Sequence, residues 1–366
     1  MRLTNCVIVA ALFIAAAATG VNKARSEVLR YRGGGPWEYV SDGSLTGWGI
    51  NPASPGIDVP MEGDEARVNW GFSTVTLDYE APVFRRLLIG VDESGVVEVN
   101  DGGILTTTLD VNVGHNNSVD GIMDIYDGGV VNVGNNLFMG RVNDTTRGFL
   151  NIYAGGVMNV TGHLWLGGKG EAEVNISGTL NQFPNGNGDG ILGLGTQDFN
   201  LPGGTAVVNV MDGGELNLFN IHAGGTQLSI QPGSKIDITG TGRVTLPGNF
   251  TAVLEGYRDA NLLFGDGVAG NVSISVEAVG GGVPGDFNSD GAVDGVDFLE
   301  WQRNQTVGDL ADWQANFGGG ASLQTVVTLA PASLSSAAAV PEACSLSLIV
   351  LGACFVGPVA RRFRAV

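Results

Sequence analysis

Short runs of alternating apolar and polar residues recur along the middle of the chain. One marker is an apolar residue followed by glycine: Ile89-Gly90, Val113-Gly114, Met139-Gly140, Leu166-Gly167, Leu194-Gly195 and Ala223-Gly224. Successive glycines lie 24, 26, 27, 28 and 29 residues apart. A second run follows each marker: Val97-Glu98-Val99, Met123-Asp124-Ile125, Leu150-Asn151-Ile152, Val174-Asn175-Ile176, Val208-Asn209-Val210 and Leu228-Ser229-Ile230. After a turn rich in Asp and Gly comes a third: Val131-Asn132-Val133, Met158-Asn159-Val160, Leu180-Asn181-Gln182, Leu216-Asn217-Leu218 and Ile236-Asp237-Ile238. A period of two gives each run one buried face, so each repeat reads as three short strands.

No single repeat can bury that face alone, whereas stacking buries all of them in one core. The pattern therefore predicts an all-β fold, a right-handed parallel β-helix over residues 27–279 with an N-terminal cap. Seven or eight coils at strand spacing give a stack roughly 35–40 Å long. The aromatic, irregular stretch Glu27–Pro82 holds Trp37, Trp48 and Trp70 and reads as first coil and cap, with strands at Asp64–Asn69 and Thr74–Leu77. Residues 244–279 read as the last coils and edge strands. The repeats resemble autotransporter passenger domains, which implies adhesion or surface display.

Composition narrows the function. Glycine supplies 59 of 366 residues without a period of three, which excludes collagen. The net charge of −19 speaks against a nucleic-acid binder, which needs a basic face, and against a basic contact with anionic lipid.

Both ends read as addresses. Residues 1–24 hold Arg2, an apolar run Val7–Ala18 and small residues before Lys23, the order of a secretory signal peptide. Residues 340–366 hold Val340-Pro341-Glu342-Ala343, an apolar stretch Leu346–Ala360 and Arg361-Arg362-Phe363-Arg364. That apolar stretch is marginal for a transmembrane helix. The order resembles the PEP-CTERM sorting tail of exported bacterial proteins, with Ala343 where that family has its second proline. The resemblance implies recognition by an exosortase-type machinery, a transient membrane contact and a surface, outer-envelope or extracellular-matrix destination. Cys6, Cys344 and Cys354 all lie in these end segments, so a chain trimmed at both ends has no disulfide.

After a linker at 280–285 the composition changes. Asp286, Asn288, Asp290, Ala292, Asp294 and Asp297 occupy positions 1, 3, 5, 7, 9 and 12 of an EF-hand-like loop, with Gly291 at the tight turn. Alternate oxygens wrap a hard cation, here Ca2+, and Ala292 offers its backbone carbonyl. The loop and the following Phe298-Leu299-Glu300-Trp301-Gln302 resemble a type I dockerin over residues 286–318. The helix recurs as Asp309–Asn316 but without a second acidic loop. The resemblance implies a cohesin-like partner. Leu310, Trp313 and Phe317 are expected to pack on Phe298 and Trp301. Residues 319–339 read as a further linker.

Other chemistry is sparse. His115, His163 and His222 fall in different repeats, without metal-ligand spacing. Asp101, Asp127 and Asp212 share a turn position held elsewhere by Ala154, Ser177 and Pro232, which suits Asx-turn structure better than catalysis. The outward row Glu98, Asp124, Asn151, Asn175, Asn209 and Ser229 reads as a polar ladder, a solvated face or a surface for glycan. The expectation is a non-catalytic exported surface or matrix protein. The alternative is a polysaccharide lyase, glycoside hydrolase or glycan-binding subunit on the same scaffold.

Overall fold

The computed structural model describes residues 28–31, 35–36, 48–49, 59–69, 73–116, 118–196, 203–224, 227–279, 285–288, 293, 295–317 and 322–331. The chain divides into two compact units, Met1–Ala330 and Pro331–Val366, and every element below belongs to the first. The expected signal peptide and sorting tail lie outside the described residues.

The fold is mostly β. Among the described residues the strands gather into three large sheets of eight, ten and eight strands and one two-stranded hairpin. The chain visits the large sheets in rotation. Arg86–Ile89 enters the first, Gly95–Val99 the second and Ile104–Thr107 the third. Val111–Val113, Asp120–Ile125 and Val130–Val133 then add beside them in the same order, in parallel. Three more repeats do the same, as far as Leu192–Leu194, Thr205–Val210 and Glu215–Asn217. A parallel partner must be reached by a long crossover. Here the other two strands of the repeat serve as that crossover, so local turns create long-range pairing.

Alternation along each strand becomes stacking between repeats. Val97, Met123, Leu150, Val174, Val208, Ile236 and Leu263 stand in register in the second sheet. Each is at most 2 % exposed. Leu87, Val111, Leu137, Leu164 and Leu192 form the matching row of the first sheet. Leu105, Val131, Met158, Leu180, Leu216 and Val244 form that of the third. All belong to one continuous apolar cluster. The marker glycines explain how the chain leaves the first sheet. Gly90, Gly114, Gly140, Gly167 and Gly195 have φ from +56° to +72°. A Cβ at Gly90 would also lie 2.8 Å from the Asp120 carbonyl oxygen.

The repeat frame shifts near its end. Ala223–Gly224 forms an antiparallel hairpin with Gln227–Leu228, and Ile230 bridges Leu194 of the first sheet. Lys235–Ile238 then joins the second sheet, not the third. The expected last repeat was therefore displaced by one strand, because Ile230 takes the first-sheet place that Ala223 was expected to fill.

Within residues 244–279, read as the last coils and edge strands, helix α1 (Thr251–Asp259) buries Leu254 and Tyr257 against the core. The Tyr257 hydroxyl accepts from the Ser229 N–H at 2.8 Å and donates to the His222 carbonyl. A further difference concerns residues 319–339, read as linker. Ser322–Leu329 is a strand, antiparallel to both Arg243–Pro247 and Val272–Val279. Its Thr325 is fully buried; the hydroxyl accepts from Phe250 N–H at 2.7 Å and donates to the Gly248 carbonyl at 2.8 Å. The Thr- and Val-rich run satisfies the sheet and the start of α1 together. The acidic-loop segment is thus an excursion between two paired strands. It carries helices α2 (Gly295–Arg303) and α3 (Leu310–Asn316). Among the described residues no helix is long and apolar enough to cross a membrane.

Candidate functional site

Of the acidic loop, Asp286, Asn288 and Asp297 are described, whereas Asp290, Ala292 and Asp294 lie outside the described residues. Asp297 sits in the first turn of α2 and is fully buried. Its Oδ1 accepts the N–H groups of Phe287 at 2.8 Å and Asn288 at 3.1 Å. These bonds tie the beginning of the loop to the helix that follows it, and Val293 between them is fully buried. Carboxylate and amide oxygens are the donor set a hard cation takes. Among the described residues, no group of three or more His, Cys, Asp or Glu is arranged to hold a metal ion.

Of the expected packing, Trp313 meets Phe298, while Phe317 meets Trp313 and not Phe298 or Trp301. Phe298 lies 4.9 Å from Trp313 and 6.1 Å from Trp301, and Trp313 meets Phe317 edge-on at 4.8 Å. The Phe298–Trp313 contact joins α2 to α3. Val296, Leu299 and Phe317 are left exposed at 53 %, 50 % and 59 %.

The outer faces of the second and third sheets carry two amide ladders. In the third, Asn132 donates to Thr106, Asn159 to Asn132, Asn181 to Asn159 and Asn217 to Asn181, at 2.8–3.3 Å. Thr245 closes the row by donating to Asn217 at 2.6 Å. In the second, Asn151 donates to Asp124, Asn175 to Asn151 and Asn209 to Asn175, at 2.7–2.9 Å. The sixth place of that row is Asp237, not Ser229, which is fully buried elsewhere. Every amide points its N–H the same way, so each bond polarises the next.

The second-sheet ladder ends on a carboxyl pair. Glu98 stands beside Asp124 in register. Burial raises the pKa of both; the Asp124 charge raises Glu98 further, while the Asn151 hydrogen bond opposes the rise at Asp124. Tyr126 and Tyr153 stack beside them, rings 4.7 Å apart and parallel within 1°.

No family model matches the chain, and no curated protein or solved structure matches it.

The remaining candidates are structural in their contacts. Asp212 accepts from the Thr241 N–H at 3.0 Å and hydroxyl at 2.6 Å, which lowers its pKa. The Asp101 and Asp127 carboxylates face Gly128 and Gly155. These contacts cross to the next repeat, so the shared Asp position links neighbouring turns. His163 lies 3.7 Å from Asp189, but burial lowers its pKa. His115 and His222 belong to other repeats. A groove of about 120 Å³ lies over Phe149, Glu173 and Val207, and its Arg147 is held by both oxygens of Asp120 at 2.7–2.8 Å.

Proposed function

We propose that this chain is an exported, non-catalytic surface or matrix protein built for adhesion or structural display. In this reading the three sheets close into a right-handed parallel β-helix. A dockerin-like segment binds one Ca2+ through Asp286, Asn288, Asp290, the Ala292 carbonyl, Asp294 and Asp297, and mediates contact with a cohesin-like partner. A PEP-CTERM-like tail directs the chain to exosortase-type machinery and the cell surface.

The observation that carries the non-catalytic reading is the pair of amide ladders. Their side chains hydrogen-bond to one another from repeat to repeat. A face whose polar groups serve each other stiffens a scaffold; catalysis needs groups directed at a reacting atom. The strand rotation and the in-register aliphatic rows support the β-helix. Buried Asp297, holding the loop start, supports a preformed metal loop.

Cell fractionation together with a glycan hydrolysis assay tests the proposal. The protein is expected in the surface or matrix fraction, releasing no new sugar ends. Cleavage that disappears in Glu98→Gln would replace this reading with a polysaccharide-degrading enzyme centred on the Glu98–Asp124 pair.

A further inference from the structure

The outer side of the first sheet is basic, in a chain whose net charge is −19. In register, Arg67 stands beside Leu88, Leu88 beside Asn112 and Asn112 beside Phe138. The adjoining row places Glu65 beside Arg86. Three guanidinium groups converge on the Glu65 carboxylate: Arg67 at 2.6 Å, Arg85 at 3.6 Å and Arg86 at 3.7 Å. Arg86 also meets Asp110 at 3.0 Å.

Arg141 arrives from the following repeat. Its Nη1 donates to Asn112 Oδ1 at 2.9 Å, and its guanidinium lies 4.0 Å above the Phe138 ring. Among the described residues no carboxylate lies within ion-pair distance of Arg141. Three arginines thus share two carboxylates, and the fourth, Arg141, has none. Asn112 is 1 % exposed, and its Nδ2 has no acceptor among the described residues. Arg85 Nε, Arg86 Nε and His115 Nδ1 are likewise buried without a partner. Burial first, then the charges of Arg141 and Arg67, lowers the His115 pKa, so this imidazole adds no charge of its own at neutral pH. The cluster is rich in donors and poor in acceptors.

We propose that this face binds the oxyanion groups, carboxylate or sulfate, of an acidic polysaccharide. Arg141, which has no carboxylate partner among the described residues, acts as the fork, and Arg85 and Arg86 beside Glu65 add positive charge around it. A guanidinium fork matches two oxygens of a carboxylate or sulfate at once, with charge assistance. Glu65 and Asp110 hold the guanidinium groups in place and do not touch the ligand. The assignment of the source rests on the proposed surface or matrix role, which puts extracellular polysaccharide within reach.

Titration calorimetry on the purified full chain, with oligogalacturonate, dextran sulfate and neutral dextran, tests this. At least one acidic ligand should bind and dextran should not; comparison of the two acids separates uronate from sulfate recognition. Arg141→Gln should weaken binding about tenfold or more, as for loss of one charged bidentate contact. Arg85→Gln, at a more exposed position, provides the same test if Arg141→Gln does not fold. Absence of binding by both acidic ligands, equal binding of dextran, or unchanged affinity in a folded variant overturns the site. Failure of the surface reading looks different: mislocalisation or glycan cleavage leaves this affinity unaltered.

Discussion

Neighbouring rungs of an amide ladder should be energetically coupled, and the third sheet allows the coupling to be counted. Asn159→Ala removes the bonds Asn159 to Asn132 and Asn181 to Asn159, both 2.9 Å. Asn181→Ala removes the second of these and the Asn217 to Asn181 bond at 2.8 Å. The single variants lose four bonds between them, but the double variant loses three, because one is shared. At about 0.5–1.5 kcal/mol net per bond, each single change costs about 1–3 kcal/mol. The rungs are half-buried and admit water, which places the values in the lower half of that range. The double variant should be less destabilised than the sum by about 0.5–1.5 kcal/mol, the worth of the shared bond. Urea unfolding followed by circular dichroism measures this, provided the slope m stays constant across the four proteins. Asn159→Ala combined with Asn175→Ala, from the other ladder, is the control and should be additive. Additivity within about 0.3 kcal/mol for the neighbouring pair would refute a connected ladder.

Leu150→Ala opens a hole in the second-sheet row, where Leu150 is fully buried, and should cost about 2–4 kcal/mol by the same unfolding assay. Raised carboxyl pKa values at Glu98 and Asp124 mean that the folded chain binds more protons than the unfolded one above the ordinary carboxylate pKa. The stability they contribute is therefore full in acid and lost as pH rises through the raised values. Glu98→Gln should raise the melting temperature at neutral pH and flatten that loss, and an unchanged melting profile would contradict it. Calcium added to the full chain should bind with a stoichiometry of about one by calorimetry and raise the melting temperature, a gain reversed by chelator. Asp297→Ala should abolish binding and also destabilise the metal-free chain, since it frees two backbone N–H groups.

The sequence alone determined the periodic parts. Alternation at Val97–Val99 or Leu150–Ile152 states which side chains are buried, because a strand has only two faces. Repetition states that the buried rows align, and the marker glycines fix where the chain turns, since few other residues tolerate that φ. The amide row at Asn151, Asn175 and Asn209 was legible for the same reason, whereas the row at Asn132, Asn159 and Asn181 became visible as a ladder only with the third sheet. Legibility ended where the period broke. Nothing local distinguishes Ala223-Gly224 from the earlier markers; the hairpin and the Ile230 bridge arise because α1 and Tyr257 cover that end of the core. The strand Ser322–Leu329 was hidden because its partners lie far back in sequence, at 243–247 and 272–279. The arginine cluster had no sequence signal either. Arg67, Arg85, Arg86 and Arg141 are scattered along the chain, and only the parallel register of the first sheet gathers them around Glu65 and Asn112. Periodicity is a local property and can be read from one strand at a time, whereas charge convergence depends on how strands are stacked, which is settled only when the whole core is packed.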